Sequence, residues 1–123
     1  MKAGFCLKNM SDLKELTDLI LKFREERDWK QFHQPKDMAI SLMLEAAEVA
    51  ELFQWKSPEQ MENIKEANED LGDELSDVLA YLLQIAHDFN IDIKEAFLRK
   101  LEKSAKKYPV EKVKGDNRKY TEY

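Results

Sequence analysis

The sequence predicts an all-α protein, a bundle of four or five helices that assembles as an oligomer. Three glycines and three prolines among 123 residues are too few for a strand-and-turn architecture. Apolar residues instead recur at helical spacing along most of the chain. The length indicates one domain over residues 1–123, with a helical core at about 12–109 and a polar, extended tail at 110–123.

The first two helices follow from their apolar periodicity. Ser11 opens a segment, about residues 12–28, whose apolar residues share one face. After an aromatic connector and Pro35, the second helix is expected at about residues 36–53. Its apolar residues occur on nearly every side, and a helix of this kind is buried on most sides. In so short a chain, that pattern predicts burial against another subunit.

The later helices carry clearer start signals. In "SPEQ", Ser57 is a candidate N-cap, Pro58 takes the first helical position and Gln60 completes a capping box. The helix that follows either continues to about residue 87 or breaks near residues 63–68. "DIKE" at residues 92–95 marks the start of the last helix, which must end before Pro109.

Charge and composition exclude several classes of function. A net charge of −5 argues against a nucleic-acid polymer as partner. No apolar run approaches the roughly 20 residues that a membrane span requires. Cys6 is the only cysteine, so no intramolecular disulfide can form, and a reducing, cytoplasmic compartment is expected.

The candidate chemistry lies in two acid pairs. Glu45 and Glu48 are three residues apart in the apolar stretch "LMLEAAEVAELFQW", so they share one helix face. Glu74 and Asp77 repeat this spacing in "DELSDVLAYL". Carboxylates among apolar residues stay ionised only when a cation or hydrogen-bond donors compensate them, and the second helix has no Lys or Arg between Lys36 and its end. Two such helices can converge on one hard cation, Mg²⁺ or Mn²⁺.

The competing interpretation of these pairs is a solvated acidic helix face. The chain has 25 acidic residues, and chance alone produces pairs at the same spacing, such as Glu66 and Glu69. The second pair is weaker evidence than the first, because Asp70 and Asp73 extend its face into an ordinary acidic one.

The aromatic and basic residues also allow two interpretations each. Trp29, Trp55 and Tyr81 could contact a nucleobase beside a metal–phosphate site, or they could pack between helices. The basic stretch "RKLEKSAKKYP" includes Lys100 and Lys103. These lysines could bind phosphate, or they could complement the dipole of the last helix.

Together the motifs resemble those of the MazG-like, all-α nucleoside triphosphate pyrophosphohydrolases, and within that family the dCTP pyrophosphatase branch. The stretches that carry the resemblance are "ERDWKQFHQP", "LEAAEVAELFQW", "DELSDVLAYL" and "KKYPVEKVKG". The resemblance implies Mg²⁺-dependent hydrolysis of a nucleoside triphosphate, dCTP or a modified dCTP, to the monophosphate and pyrophosphate. It also implies a homodimer or a dimer-of-dimers homotetramer, acting in nucleotide pool sanitation or in control of dCTP levels.

The resemblance also assigns roles to individual residues. Mg²⁺ binding and catalysis fall to Glu45, Glu48, Glu74 and Asp77. The nucleoside is expected near Trp29, Trp55 and Tyr81, and the phosphates near Lys100 and Lys103. The alternative to an enzyme is a non-catalytic helical module that senses nucleotides or binds a protein partner.

Three positions depart from the family pattern. Many members have Glu where Leu44 stands, and its absence fits the dCTP branch. Members often have Asn where Ser104 stands, and the dCTP enzyme has a substrate-side histidine where Ile20 stands. The last two departures bear on base and sugar preference.

Overall fold

A computed structural model describes residues 12–122, and the regular structure of these residues is entirely helical. The helices are α1 (Asp12–Glu26), α2 (Pro35–Glu51), α3 (Pro58–Glu66), α4 (Glu69–Asp88), α5 (Ile93–Lys107) and the single turn α6 (Val110–Val113). Short 3₁₀ turns occur at Lys30–Phe32 and Tyr120–Glu122. The all-α prediction is therefore confirmed, whereas the expectations for Ser11 and Cys6 lie outside the described residues.

Local sequence signals account for the helix boundaries. The Gln60 backbone N–H donates to Ser57 Oγ (3.2 Å), and the Ser57 N–H donates to Gln60 Oε1 (2.8 Å), so the predicted capping box forms. The chain then leaves the helical conformation at Ala67 and Asn68, which separates α3 from α4. The Asp92 carboxylate accepts from the Glu95 N–H (3.0 Å) and caps α5 as predicted.

The chain divides into two compact units, the first ending at Asn90 and the second beginning at Ile91. In the first unit α4 is the central helix, and both α1 and α2 pack against it. Met38 near the start of α2 and Ile85 near the end of α4 line one cavity, so these two helices run antiparallel. The buried apolar residues are Met38, Leu83 and Ala86.

A partly buried ion pair joins α1 to α4 at their carboxyl ends. Arg24 Nη1 and Nη2 donate to the two carboxylate oxygens of Asp88, each at 3.0 Å. The Arg24 side chain is 2% exposed and that of Asp88 is 22% exposed. A guanidinium this well buried requires a carboxylate partner, so the pair fixes where α4 lies against α1.

Helix α2 leaves much of its apolar surface uncovered within one chain. Ile40, Met43 and Leu44 are all exposed, and Met38 is the buried residue of this helix. A single copy of the chain therefore does not bury α2 on most sides. Burial against a second copy stays a prediction.

The second unit contains α5, α6 and a folded carboxyl-terminal segment. Residues 110–123 were expected to be an extended tail, and this is wrong, because residues 110–113 are helical and residues 120–122 form a 3₁₀ turn. The rings of Tyr108 and Tyr120 meet edge to face, with centroids 5.9 Å apart. Arg118 Nε donates to Asp116 Oδ2 (2.8 Å) after a turn at Gly115, whose φ of +78° suits glycine.

None of the helices within residues 12–122 is long and apolar enough to cross a membrane.

Candidate metal centre

The antiparallel packing of α2 on α4 brings the two predicted acid pairs together. Glu45 and Glu48 lie on α2, and Glu74 and Asp77 lie on α4. Each of the four contributes a carboxylate oxygen, and these oxygens all lie within 4.8 Å of one another. The cluster forms because i,i+3 spacing aligns each pair on one face and the helix packing turns the two faces toward each other. We call these four residues the acid cluster.

Among residues 12–90 the acid cluster has no cationic partner. None of the ion pairs found among residues 12–122 involves any of its carboxylates. Glu45 Oε2 and Glu74 Oε2 are buried and accept no hydrogen bond from the described residues. Buried carboxylate oxygens without donors are unfavourable, so the cluster is electrostatically incomplete as the protein alone presents it.

This crowding changes how easily the carboxyl groups ionise. Burial raises the pKa of Glu45, and the nearby Glu48 and Asp77 raise it further. A side-chain hydrogen bond with Glu48, together with burial and the charges of its neighbours, raises the pKa of Glu74 to about 7. Both shifts have the same meaning: without a cation, Glu45 and Glu74 hold protons more tightly than isolated carboxyl groups do.

The donor set fits a hard divalent cation. All four ligands are carboxylates, without His or Cys, and oxygen donors of this kind suit Mg²⁺ or Mn²⁺. A cation would also supply the missing partner for the two buried oxygens on Glu45 and Glu74. The geometry thus favours a metal centre over the competing interpretation of a solvated acidic face.

The aromatic residues predicted to surround a nucleoside lie at separate places in the first unit. Trp29 follows α1 and packs edge to face on Phe23, with ring centroids 5.8 Å apart. Trp55 lies in the turn after α2, is 91% exposed, and has a φ of +66°. Tyr81 is half-buried on α4, one turn after Asp77.

Trp29 and Trp55 are therefore at opposite ends of α2. That helix has 17 residues, which at a rise of 1.5 Å per residue makes it about 25 Å long. Of the predicted nucleoside contacts, Tyr81 lies nearest along the chain to the acid cluster.

The remaining predicted positions lie elsewhere in the two units. Lys100 and Lys103 are exposed on α5 and Ser104 is half-buried there, all in the second unit. Ile20 lines an apolar cavity of about 280 Å³ between α1 and α4, with Leu83 among its neighbours. Sequence reasoning missed the Arg24–Asp88 pair, because two residues 64 positions apart leave no local pattern.

Comparison with known proteins agrees with the helices and the acid cluster. The sequence model of the MazG-like family matches residues 40–123, which include all four cluster residues. The chain is 39% identical to "dCTP pyrophosphatase 1" of Rattus norvegicus, over 89% of this chain and 66% of that protein. It is 38% identical to the Bos taurus protein of the same name, over 96% of this chain and 72% of that protein.

A solved structure shares the fold. The crystal structure of a pyrophosphatase from Archaeoglobus fulgidus superposes with a TM-score of 0.74 at 38% identity, covering 82% of this chain and 95% of that one. A helical scaffold that turns paired carboxylates inward defines a class of metal-binding α-helical protein. Within that class, this chain belongs to the MazG-like family. It spans about two thirds of the length of the rat relative.

Proposed function

We propose that the protein is a divalent-cation-dependent nucleoside triphosphate pyrophosphohydrolase acting on dCTP or a modified dCTP in the cytoplasm. The observation that carries this proposal is the convergence of Glu45, Glu48, Glu74 and Asp77 within 4.8 Å. Family membership and the names of the relatives support the reaction class and the nucleotide. The products would be the nucleoside monophosphate and pyrophosphate.

The chain's own residues would position the reacting groups. A Mg²⁺ ion bound by the cluster would supply positive charge against the phosphate oxygens. Glu45 and Glu74 would hold it through the buried oxygens that lack hydrogen bonds. One carboxylate of the cluster would accept the proton of the attacking water. Phosphoryl transfer of this kind relies on positioning and charge stabilisation rather than on covalent chemistry.

Product analysis tests this proposal. The protein would be incubated with each of the eight common nucleoside triphosphates, with Mg²⁺ or with EDTA, and the products separated by chromatography. We expect dCMP and pyrophosphate from dCTP, in Mg²⁺ only. Diphosphate and orthophosphate would reject the proposed cleavage site. Absence of any turnover would favour a non-catalytic nucleotide sensor or protein-interaction module.

A matched pair of variants tests the acid cluster. Glu48→Gln removes one cluster carboxylate and is expected to abolish turnover while the protein stays helical by circular dichroism. Glu51→Gln is the control, because Glu51 is an exposed acid one turn further along α2 and outside the cluster. Equal activity of the two variants would contradict the assignment of Glu48.

We also propose that the nucleoside site is shared between two copies of the chain, in a homodimer or a dimer of dimers. Trp29 precedes α2 and Trp55 follows it, and the helix between them is about 25 Å long, an arrangement that suits indoles contributed to one nucleoside by different subunits. The exposed apolar side chains Ile40, Met43 and Leu44 offer a surface for such assembly. Lys100 and Lys103 would neutralise the phosphate charge that one divalent ion does not compensate.

Mixed oligomers test the shared site. Wild-type chains would be reassembled with chains carrying both Glu48→Gln and Trp29→Ala, and compared with mixtures of the two single variants. If each site takes Trp29 from one chain and Glu48 from another, the two single variants restore part of the activity when they are mixed. Failure of the single variants to complement, in mixtures that do form hybrid oligomers, would contradict a shared site.

A further inference from the structure

The carboxyl end of α1 carries Trp29 in a defined turn. The Trp29 N–H donates to the Arg24 carbonyl (3.1 Å), and the Asp28 N–H donates to the Glu25 carbonyl (3.0 Å). These two hydrogen bonds together form a Schellman motif, in which Asp28 takes the left-handed position with a φ of +54°. The turn therefore fixes the backbone of Trp29 relative to α1.

The same motif holds the Trp29 indole against α1. In a Schellman motif the residue after the left-handed position commonly packs on an apolar residue of the last helical turns, and Phe23 has that place here. The two rings meet edge to face with centroids 5.8 Å apart, and the Arg27 guanidinium lies over the Phe23 ring at 3.6 Å from its centroid. Trp29 stays 44% exposed, so the indole is supported by Phe23 and still open to a ligand.

A side chain on the far side of Trp29 closes the turn. Gln31 lies in the 3₁₀ turn that follows Trp29, and its Nε2 donates to the carbonyl oxygen of Asp28 and to Asp28 Oδ2, each at 3.0 Å. A left-handed φ is unfavourable for a residue other than glycine, and these hydrogen bonds help to hold Asp28 there. We call Asp28 and Gln31 the Trp29 bracket.

The turn is also tied to the helix that carries half of the acid cluster. Arg24, whose carbonyl accepts from Trp29, donates through its guanidinium to both carboxylate oxygens of Asp88 on α4. Glu74 and Asp77 lie on the same helix. A continuous series of hydrogen bonds therefore runs from the Trp29 backbone to α4. Left-handed conformations of residues other than glycine often occur at binding sites, where they set the position of a neighbouring side chain.

We infer that Asp28 and Gln31 are positioning residues for the nucleoside site. They hold the Trp29 indole in the orientation that contacts the nucleoside, without contacting the nucleoside themselves. The inference rests on the proposed function, since it needs Trp29 to serve as a nucleoside contact. An indole that is already ordered costs less to fix on binding. The Trp29 bracket should therefore act on nucleotide affinity and leave the chemical step unchanged.

Removal of the Gln31 amide provides the main test. Gln34→Ala is the matched control, because it removes the same side chain three residues later, where it is exposed and makes no capping hydrogen bond to α2. We expect Gln31→Ala to raise KM for dCTP about fivefold, the effect of one lost hydrogen bond, with kcat within about twofold of wild type. Gln34→Ala should keep the KM of the wild type. Equal KM values for the two variants would overturn the inference.

Fluorescence measures the position of Trp29 without any nucleotide. The chain has two tryptophans, so Trp55→Phe leaves Trp29 as the single indole. In that background, anisotropy decay should show that Gln31→Ala about doubles the amplitude of the nanosecond motion of the indole, whereas Gln34→Ala leaves it unchanged. The same amplitude in both variants would overturn the inference.

Asp28→Gly separates positioning from a structural role. Glycine adopts the left-handed φ freely, so the turn is kept, but the carboxylate that accepts from Gln31 is lost. We expect a urea midpoint equal to or above that of the wild type, together with an approximately threefold higher KM for dCTP. A purely structural role would change KM only when stability falls. The KM of the wild type in Asp28→Gly would overturn the role of Asp28, even if Gln31→Ala does not fold.

These outcomes separate the inference from the proposed function. A wild-type protein that cleaves no nucleotide overturns both. A protein that cleaves dCTP, with the same Trp29 motion and the same KM in Gln31→Ala and Gln34→Ala, overturns the positioning role alone and leaves the acid cluster as the catalytic centre.

Discussion

Replacing Asp88 by Asn tests whether the buried pair with Arg24 holds α1 on α4. The variant keeps the shape of the side chain but removes its charge, and Asn can accept only one of the two N–H groups that Arg24 now donates at 3.0 Å. Arg24 is 2% exposed, so its charge would remain buried without a partner. Breaking a fully buried pair costs about 3–5 kcal/mol. Because Asp88 is 22% exposed, we expect a loss of about 2–3 kcal/mol in the free energy of unfolding.

The expected loss in the free energy of unfolding becomes smaller as pH falls. Burial alone would raise the pKa of Asp88, but the hydrogen bonds and charge of Arg24 outweigh it and hold the pKa below its usual value of 3.8. A carboxyl group with a lowered pKa stabilises the folded state above its unfolded pKa, and this contribution disappears as pH falls through the folded pKa. Wild type and Asp88→Asn should therefore differ fully at pH 7, and their difference should shrink as pH falls from 3.8 through the lower pKa that Asp88 has in the folded protein.

Urea denaturation followed by circular dichroism measures both effects at one protein concentration. Asp18→Asn is the matched control, because Asp18 pairs with Lys14 (3.3 Å) in an exposed i,i+4 bridge that should be worth under about 0.5 kcal/mol. A loss below about 1 kcal/mol for Asp88→Asn, or a loss that is the same at pH 3.5 and pH 7, would refute the reasoning.

Three further predictions concern single positions. Gly72→Ala should stabilise the protein by about 0.5–1 kcal/mol, since a Cβ there meets no atom within 4 Å. Gly115→Ala should destabilise it, because the φ of Gly115 is +78°. Urea titration of both variants measures the two effects, and a destabilised Gly72→Ala would contradict the open environment of Gly72. Ser57→Ala should cost about 1 kcal/mol through loss of the capping box, and hydrogen exchange should show the loss first in α3. In EDTA, the stability of the wild type should fall as pH rises from about 5 to 8, because folding raises the pKa of Glu74 to about 7 and the folded state binds more protons than the unfolded state. Glu74→Gln should weaken this pH dependence. The same pH dependence in both proteins would contradict the crowding of carboxylates around Glu74.

The parts of the fold that could be predicted from sequence are those encoded locally. The Ser57 capping box and the Asp92 cap depend on residues three apart, and both form as predicted. The carboxyl-terminal segment could not be predicted in the same way. Its folding depends on a contact between Tyr108 and Tyr120 and on a turn at Gly115, and neither follows from apolar periodicity.

The candidate site also combines features encoded by local spacing with features that depend on distant contacts. The i,i+3 spacing predicted that Glu45 pairs with Glu48 and Glu74 with Asp77, and α2 packed against α4 does join the pairs. Sequence could not reveal the cavity that Met61 and Ile64 of α3 line together with Leu71 of α4, because only the packing of the two helices brings these residues together. The apolar pattern of α2 does not by itself say which side meets a partner, since an apolar face looks the same whether its partner is the same chain or another one.

Direct measurement of metal binding tests the central claim that the acid cluster is a divalent cation centre. Mn²⁺ would be titrated into the metal-free wild type and the Glu45→Gln and Glu51→Gln variants, with bound ion followed by electron paramagnetic resonance. The account predicts saturable binding in wild type and Glu51→Gln, with at least a tenfold loss of affinity in Glu45→Gln. Equal affinity in all three proteins, or no saturable binding in wild type, would contradict it.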